Sequence, residues 1–401
     1  MLCIHVGPGR LGLGLIVQQL IEADFSVCVV GHGESEPEEY EKQFAISYTD
    51  PDIGLVPEEV QWITNALAVD DLPAEVLDLL ETDQPLLITC SLDAAIAARA
   101  AWIIELVERR PHDAETVLLA CENDPHPAYQ EVAAACGAKL QMPPCVVDRI
   151  CSWALPRRTE ELSPRIVRAH PVGEWVVSCP GPIPETLEQL SRASLVQVTE
   201  CSIEGFKARK LWSVNGVHMV LALVALTAGV NELPLDQRYT PEFLELAQPL
   251  IQAMSVGVES RWPYVGFDER YASERIRAFL ESPDGTARIL KGYLVRSDLR
   301  PFMRRLDERL GEPARAVREA GGDVGPFFEA MALIVEVLVD LRLYYSPEDY
   351  LLLDPEIDRE VLTLFEEVLS SWLNDRAASN LLKTLSRALE RHYGHMTPVR
   401  H

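Results

Sequence analysis

The first twelve residues restrict this chain more than any other stretch. Met1 to Val6, MLCIHV, reads as a short apolar strand, and GPGRLG follows it. Gly7, Gly9 and Gly12 fall in G-x-G-x-x-G spacing, with Arg10 and Leu11 between them, and Leu13 to Ala23 then reads as a helix. Strand, glycine turn and helix is the context that gives this short motif its meaning. Gly7 permits the tight turn, Gly9 lets the backbone approach a pyrophosphate, and Gly12 lets helix and strand pack closely, with the helix N-terminus facing the anion. Gly7, Gly9, Arg10, Leu11 and Gly12 are therefore candidate contacts for a dinucleotide. The alternative is a glycine-rich turn with no ligand.

The next hundred residues repeat this alternation. Phe25 to Val30 is a second strand, and LLITC (Leu86–Cys90) and VLLAC (Val117–Cys121) are further ones, with helical patterns at Ala94–Glu108 and Tyr129–Cys136. Strands alternating with helices predict an α/β fold with a doubly wound parallel sheet of the Rossmann kind. Such sheets bind ligands beyond the carboxyl ends of their strands. Thr89 and Cys90 lie at one such end and Asn123 at another, where a cofactor and its substrate would meet. Asn123 also reads as an ordinary cap or turn residue. The second strand ends in GHGESE, in which Glu34 is the first acid and no Arg or Lys stands ready for a 2′-phosphate. This favours NAD, with Glu34 toward the ribose, without excluding NADP.

Beyond about residue 201 the pattern turns helical, with segments at Leu211–Val230, Pro241–Met254, Ala272–Leu280, Pro301–Leu310, Phe327–Leu343 and Val361–Leu389. Two domains are expected, a dinucleotide-binding domain over residues 1–200 and a helical substrate domain over 201–401. The second opens on KARKLWSVNGVHMVLA, Lys207 to Ala222, where Lys210, Asn215 and His218 sit among apolar neighbours. On a regular α-helix the three would span roughly 140°, with His218 in the middle. A helix this apolar is buried, and buried polar groups need partners or a ligand. Burial also lowers the pKa of a lysine, which suits a base. Two readings fit: a core helix with satisfied polar residues, or an active site.

A formal net charge of -26 argues against nucleic acid as a partner. Nine cysteines, odd in number and without a C-x-x-C, read as reduced thiols of a cytoplasmic protein and not as a zinc framework. No metal site is expected. The N-terminus shows no signal-peptide pattern, and the apolar run from Leu211 contains Asn215 and His218, so no membrane span is expected. The partner is a small molecule. The oligomeric state stays open, and a monomer is compatible with the sequence.

In order along the chain, GPGRLGLG, ACEN (Ala120–Asn123), VDRI (Val147–Ile150), EWVV (Glu174–Val177) and RKLWSVNGVH (Arg209–His218) resemble the polyol-specific long-chain dehydrogenase family, most of all its shorter branch, the mannitol-1-phosphate 5-dehydrogenases. The last segment carries the family's Lys-x4-Asn-x2-His signature. The resemblance implies Lys210 as general base, Asn123 and Asn215 as hydrogen-bond donors to the reacting oxygen, and His218 as a substrate-positioning group. It implies hydride exchange with NAD and no metal. Departures touch the contacts around this chemistry: Leu13 stands where relatives carry a polar or basic residue, and the acid after the second strand is displaced. The turn after Thr89 and the arginine stretch Arg270–Leu306 also differ. If the substrate is phosphorylated, Arg296, Arg300 and Arg304 are the densest cations to hold it, though such a cluster also reads as a solvated helix face. Three functions stay in view: a dehydrogenase of polyols or polyol phosphates, the same fold recruited to another secondary hydroxy compound, and a cofactor- or sugar-phosphate-sensing protein without turnover.

Overall fold

The computed structural model describes residues 1–31, 44–48, 54–55, 60–122, 125–153, 165–221, 240–280 and 304–344. The chain divides into two compact units, Met1–Phe206 and Lys207–His401.

The first unit holds a five-stranded parallel sheet. Its strands are β1 (Leu2–Val6), β2 (Ser26–Val30), β5 (Trp62–Thr64), β6 (Leu86–Cys90) and β7 (Thr116–Ala120). Their order in space is β5-β2-β1-β6-β7. Runs such as LCIHV and LLITC are apolar at nearly every position because both faces of a parallel sheet are covered. Leu2, Ile4, Val6, Ile88 and Cys90 face a core shared with α2 (Ala74–Leu80), α3 (Ile96–Glu108) and α4 (Ala128–Cys136). Cys3, Val27, Val29 and Leu87 face the opposite core. That core is filled by the helix after the glycine turn, which ends in α1 (Gln18–Glu22), and by strands of a second sheet, through Val147, Val167 and Trp175. Each such side chain contributes on the order of 1.5–3 kcal/mol.

A second sheet takes in two stretches whose sequence already has strand character, His170–Val177 and Leu195–Glu200. Its strands are β3 (Phe44–Tyr48), β4 (Gly54–Leu55), β8 (Cys145–Trp153), β9 (Arg165–Ser178) and β10 (Val196–Thr199). They run β10-β9-β3-β4, with β8 paired antiparallel to β9. The sheet is fastened to the N-terminal helix by Arg149 of β8. The guanidinium donates to the carbonyls of Gly14 and His170, each at 2.6 Å, and to the side-chain oxygen of Gln18. Gly14 makes this approach possible: a Cβ there would stand 2.7 Å from Cys151 Sγ.

α5 (Glu185–Leu190) precedes β10, and α6 (Ile203–Lys210) carries the boundary between the units. The described residues of the second unit are helical or turn, with no strand among them. Their longer helices are α7 (Thr240–Arg261), α8 (Glu269–Leu280), α9 (Glu312–Glu319) and α10 (Gly325–Tyr344). α7 and α9 meet closely at Gly257, where a Cβ would stand 3.2 Å from Ala316 and Val317. No helix among the described residues is long and apolar enough to cross a membrane. The expected helix Val361–Leu389 lies outside the described residues.

Candidate functional site

The register of the parallel sheet brings its carboxyl ends to one edge, since Val6 pairs with both Val30 and Cys90, and Cys90 with Ala120. Gly7, Gly31, Ser91 and Cys121 therefore leave the sheet side by side. Gly7 has φ +103°, a conformation that L side chains rarely adopt, and a Cβ on it would meet the Ser91 carbonyl at 2.5 Å. At Gly9 a Cβ would meet nothing within 4 Å, so the backbone there is open to an approaching group. Arg10 is exposed and Leu11 half-buried. The helix begins as a π-helical turn, Gly12–Val17, and continues as α1. These residues fit a dinucleotide: an open glycine, a turn only glycine makes easily, and a helix N-terminus beside both.

Beneath the turn lies a polar stack that the sequence did not reveal. His5, fully buried on β1, places Nε2 3.1 Å from the Gly7 carbonyl and Nδ1 2.9 Å from the Thr89 hydroxyl. The carbonyl can only accept, so Nε2 carries the hydrogen and Nδ1 accepts from Thr89. Ser91 Oγ also donates to the Gly7 carbonyl, at 3.3 Å. Gly12 closes the stack, because a Cβ on it would stand 2.4 Å from His5 Nε2 and 2.5 Å from the Gly7 carbonyl. Burial lowers the His5 pKa from 6.5 to about 4, with the Gly7 carbonyl opposing the shift. The ring therefore stays neutral at ordinary pH. The strand pattern allows His5 as one more interior residue, and only the fold shows what it touches.

Thr89 and Cys90 turn their side chains fully into the core. As cofactor contacts they are thus confined to backbone, and Ser91 is the half-buried side chain at that strand end. At the end of β7, Glu122 Oε1 accepts from the amides of Leu92 and Asp93, both at 2.9 Å, and from the Tyr129 hydroxyl at 2.6 Å. Burial raises the Glu122 pKa, and these three donors pull it back. Glu122 ties the turn after β6 to the end of β7, immediately before Asn123. Asn123 and Glu34 themselves lie outside the described residues.

In the second unit, the chain after α6 departs from the regular α-helix expected for it. Leu211–Gly216 is a π-helical turn, after which residues 217–221 resume the α form. In an α-helix, residues five apart stand about 140° apart. A π turn bonds each residue to the fifth along, so such residues come to nearly the same side. The five-residue step from Lys210 to Asn215 spans this turn, and His218 follows one α-helical step of three later. Lys210 and His218 are buried, and Asn215 is half-buried. Trp212 packs on Trp262 with ring centroids 5.4 Å apart. Ser213 Oγ donates back to the Arg209 carbonyl at 2.6 Å. Gly216 carries no signal in the sequence, yet a Cβ on it would meet the Arg309 carbonyl at 2.6 Å. Arg309 belongs to another π-helical turn, Asp307–Gly311, so Gly216 is what lets the two turns touch.

The substrate cations fare differently. Arg296 and Arg300 lie outside the described residues. Arg304 is exposed and forms an i,i+4 pair with Glu308 at 3.5 Å, the arrangement of a solvated helix face. Among the described residues, no group of three or more His, Cys, Asp or Glu could hold a metal ion.

No protein-family model matches this sequence, and no curated protein matches it. Solved structures do. A substrate-free D-sorbitol dehydrogenase is similar over 98% of this chain and 93% of its own, with a TM-score of 0.64 and 17% identity. The mannitol 2-dehydrogenase of Pseudomonas fluorescens, solved as a ternary complex with NAD and D-mannitol, is similar over 98% of this chain and 94% of its own, with a TM-score of 0.56 and 14% identity. The chain shares its fold with these polyol dehydrogenases. It is α/β, with an N-terminal Rossmann-like parallel sheet and a helical C-terminal region.

Proposed function

We propose that this chain is an NAD-dependent oxidoreductase that interconverts a secondary alcohol of a polyol or polyol phosphate and the corresponding ketose, as a mannitol-1-phosphate 5-dehydrogenase does. The observation that supports the reading is the π-helical turn Leu211–Gly216 between buried Lys210 and Asn215, since residues five apart across such a turn come toward one side. In this reading residues 1–200 serve the cofactor and 201–401 the substrate. The nine free cysteines, seven buried and two half-buried, fit the reducing cytoplasm.

Lys210 takes the proton from the reacting hydroxyl, and its amine must be unprotonated to do so. Asn215 and Asn123 donate hydrogen bonds to that oxygen as it becomes an alkoxide and then a carbonyl. His218 orients the remaining substrate oxygens. Gly7, Gly9 and Gly12 hold the dinucleotide backbone near the helix N-terminus, with Arg10 and Leu11 beside it and the His5 stack keeping the turn in shape. When bound there, NAD supplies the acceptor and donor of hydride. Support for the chemical class also comes from the fold shared with two polyol dehydrogenases, one of them solved with NAD and D-mannitol.

The test is a panel of ketoses and ketose phosphates assayed with NADH and NADPH by loss of nicotinamide absorbance. The expected result is turnover of at least one compound, with NADH preferred. Two acids in GHGESE near a 2′-phosphate would cost roughly 1–4 kcal/mol. NADH binding without turnover of any compound would favour a sensing protein, and a preference for NADPH would remove Glu34 from the ribose.

A further inference from the structure

Glu122 is a buried carboxylate for which the proposed chemistry has no use. It stands two residues beyond β7 and is 7% exposed. Its Oε2 is buried and has no hydrogen-bond partner among the described residues. All of its bonds run through Oε1, to which the amides of Leu92 and Asp93 donate at 2.9 Å each and the Tyr129 hydroxyl at 2.6 Å. A carboxylate with one oxygen unpaired in a core costs stability. Packing alone therefore gives no reason for it.

The two amides make a site for an anion. Leu92 has φ -111° and ψ -16°, in the right-handed region, and Asp93 follows with φ +53°. Asp93 is one of two residues other than glycine with positive φ among the described residues. Successive amides in this right-handed, left-handed order turn toward one side and form a concave nest for negative charge. The Glu122 carboxylate fills that nest, so the chain supplies the anion from a neighbouring strand end. Left-handed backbone strains an L residue, and the two bonds to Oε1 hold Asp93 in it.

The strand order gives this turn its importance. In β5-β2-β1-β6-β7 the chain leaves β1 for β2 and β5 on one side, then returns to β6 and β7 on the other. Parallel sheets bind ligands at such a reversal, beyond the carboxyl ends of the two strands. The crevice there has two lips, the glycine turn after β1 and Ser91–Asp93 after β6. They are pressed together. A Cβ on Gly7 would stand 2.5 Å from the Ser91 carbonyl oxygen and 3.1 Å from Leu92 Cδ2, and Ser91 Oγ donates to the Gly7 carbonyl at 3.3 Å.

We infer that Glu122 is a positioning residue for the dinucleotide: by filling the Leu92–Asp93 nest, it fixes the lip against which the glycine turn is set. The inference rests on the cofactor reading proposed above. Glu122 acts through the backbone of the turn, because its own carboxylate is enclosed. If the turn keeps its binding shape for only a fraction of the time, the apparent Kd rises by the inverse of that fraction.

The experiment titrates NADH into the whole chain without substrate and records Tm beside it. The variants are Glu122→Asp, Glu122→Gln and, as control, Ser178→Ala. Glu122→Asp keeps the charge but withdraws it by about 1.5 Å, one carbon–carbon bond, out of reach of both amides. Glu122→Gln keeps the reach and the accepting oxygen. Ser178→Ala removes a buried hydrogen bond of the second sheet, from Ser178 Oγ to the Cys201 carbonyl at 2.7 Å. All three should lower Tm. NADH should bind Glu122→Asp about ten-fold more weakly than wild type, and the other two within about three-fold of it, the scale of a charge-assisted hydrogen bond lost or kept. Unchanged affinity in Glu122→Asp, equal losses in Glu122→Asp and Glu122→Gln, or losses that follow Tm through all three variants overturns the inference and leaves the cofactor reading in place. Wild type that binds no NADH overturns both.

Discussion

The glycine turn of the first unit and the Lys210 segment of the second are made from the same two devices, arranged to different ends. Each has a π-helical turn, Gly12–Val17 or Leu211–Gly216, and each has a glycine against which a Cβ would collide. Beneath the first turn, the neutral side chains of His5, Thr89 and Ser91 bond to one another and to the Gly7 carbonyl. Around the second, the buried residues carry ionisable groups: Arg209, Lys210 and His218. Neutral stacks hold a backbone in shape, whereas buried ionisable groups are costly and cluster at functional sites. The first region should therefore govern binding, and the second turnover.

The sharpest way to break that contrast is Lys210→Ala. Loss of a general base costs about 10²–10⁴-fold in rate. Turnover should fall by that factor while NADH affinity stays within about two-fold of wild type, measured by steady-state kinetics beside titration. Wild-type turnover in the variant would take Lys210 out of the mechanism.

Next in size is the pH dependence carried by His5. Its folded pKa lies near 4, below the ordinary 6.5. The unfolded chain therefore takes up a proton between those values that the folded chain refuses. The stabilisation is complete above pH 6.5 and is lost as pH falls toward 4, to a total of about 3 kcal/mol. Urea unfolding of wild type and His5→Gln across that window should diverge by this amount, with wild type losing more. Parallel curves would mean the ring is not held neutral.

A matched pair of glycine substitutions comes third. Gly12→Ala drives a Cβ against His5 and the Gly7 carbonyl, and Gly216→Ala drives one against the Arg309 carbonyl. Overpacking of this kind costs about 1–3 kcal/mol. If the two regions divide the work, Gly12→Ala weakens NADH binding and spares kcat, and Gly216→Ala lowers kcat and spares NADH binding. The same response from both would dissolve the distinction.

The same contrast explains what can be read from the sequence. β1, β6 and the glycine turn are legible because strands buried on both faces are unbroken apolar runs, and because glycine spacing follows from backbone sterics. The second sheet is not legible as a sheet. In β9, Arg168, His170 and Glu174 interrupt the apolar pattern, so only part of its 14 residues reads as strand. β4 and β5 are two and three residues long, too short to show a period. In the second unit Lys210, Asn215 and His218 stand out as residues, but a regular α-helix is the wrong frame for them. Its period is 3.6, and a π turn leaves no mark in composition. α7 runs on from Met254 to Arg261 because Val258 still faces the core. The role of His5 is hidden for a different reason: its partner Thr89 is distant in sequence and meets it only across paired strands.

The smallest effect is expected at Arg304, and it tests the limit of reading charge clusters from sequence. Arg304 stands four residues before Glu308, their side chains 70% and 43% exposed, at a separation of 3.5 Å. Water screens both groups, and holding two long side chains together costs rotamer freedom, so an exposed i,i+4 pair is worth about 0.3–0.5 kcal/mol. Asp307, one residue from Glu308 along the same turn, is instead gripped by Arg315 through contacts of 2.9 and 3.3 Å. That two-pronged pair does not involve Arg304 and would survive its loss. Arg304→Ala should therefore shift stability by no more than about 0.5 kcal/mol and leave KM for a ketose phosphate unchanged. Arg270→Ala serves as the comparison, because it too removes one partner of an exposed i,i+4 pair, that with Glu274. Raised KM in Arg304→Ala with no change in Arg270→Ala would mean that Arg304 holds the phosphate. The opposite outcome would leave Arg304 as one cation on a solvated face.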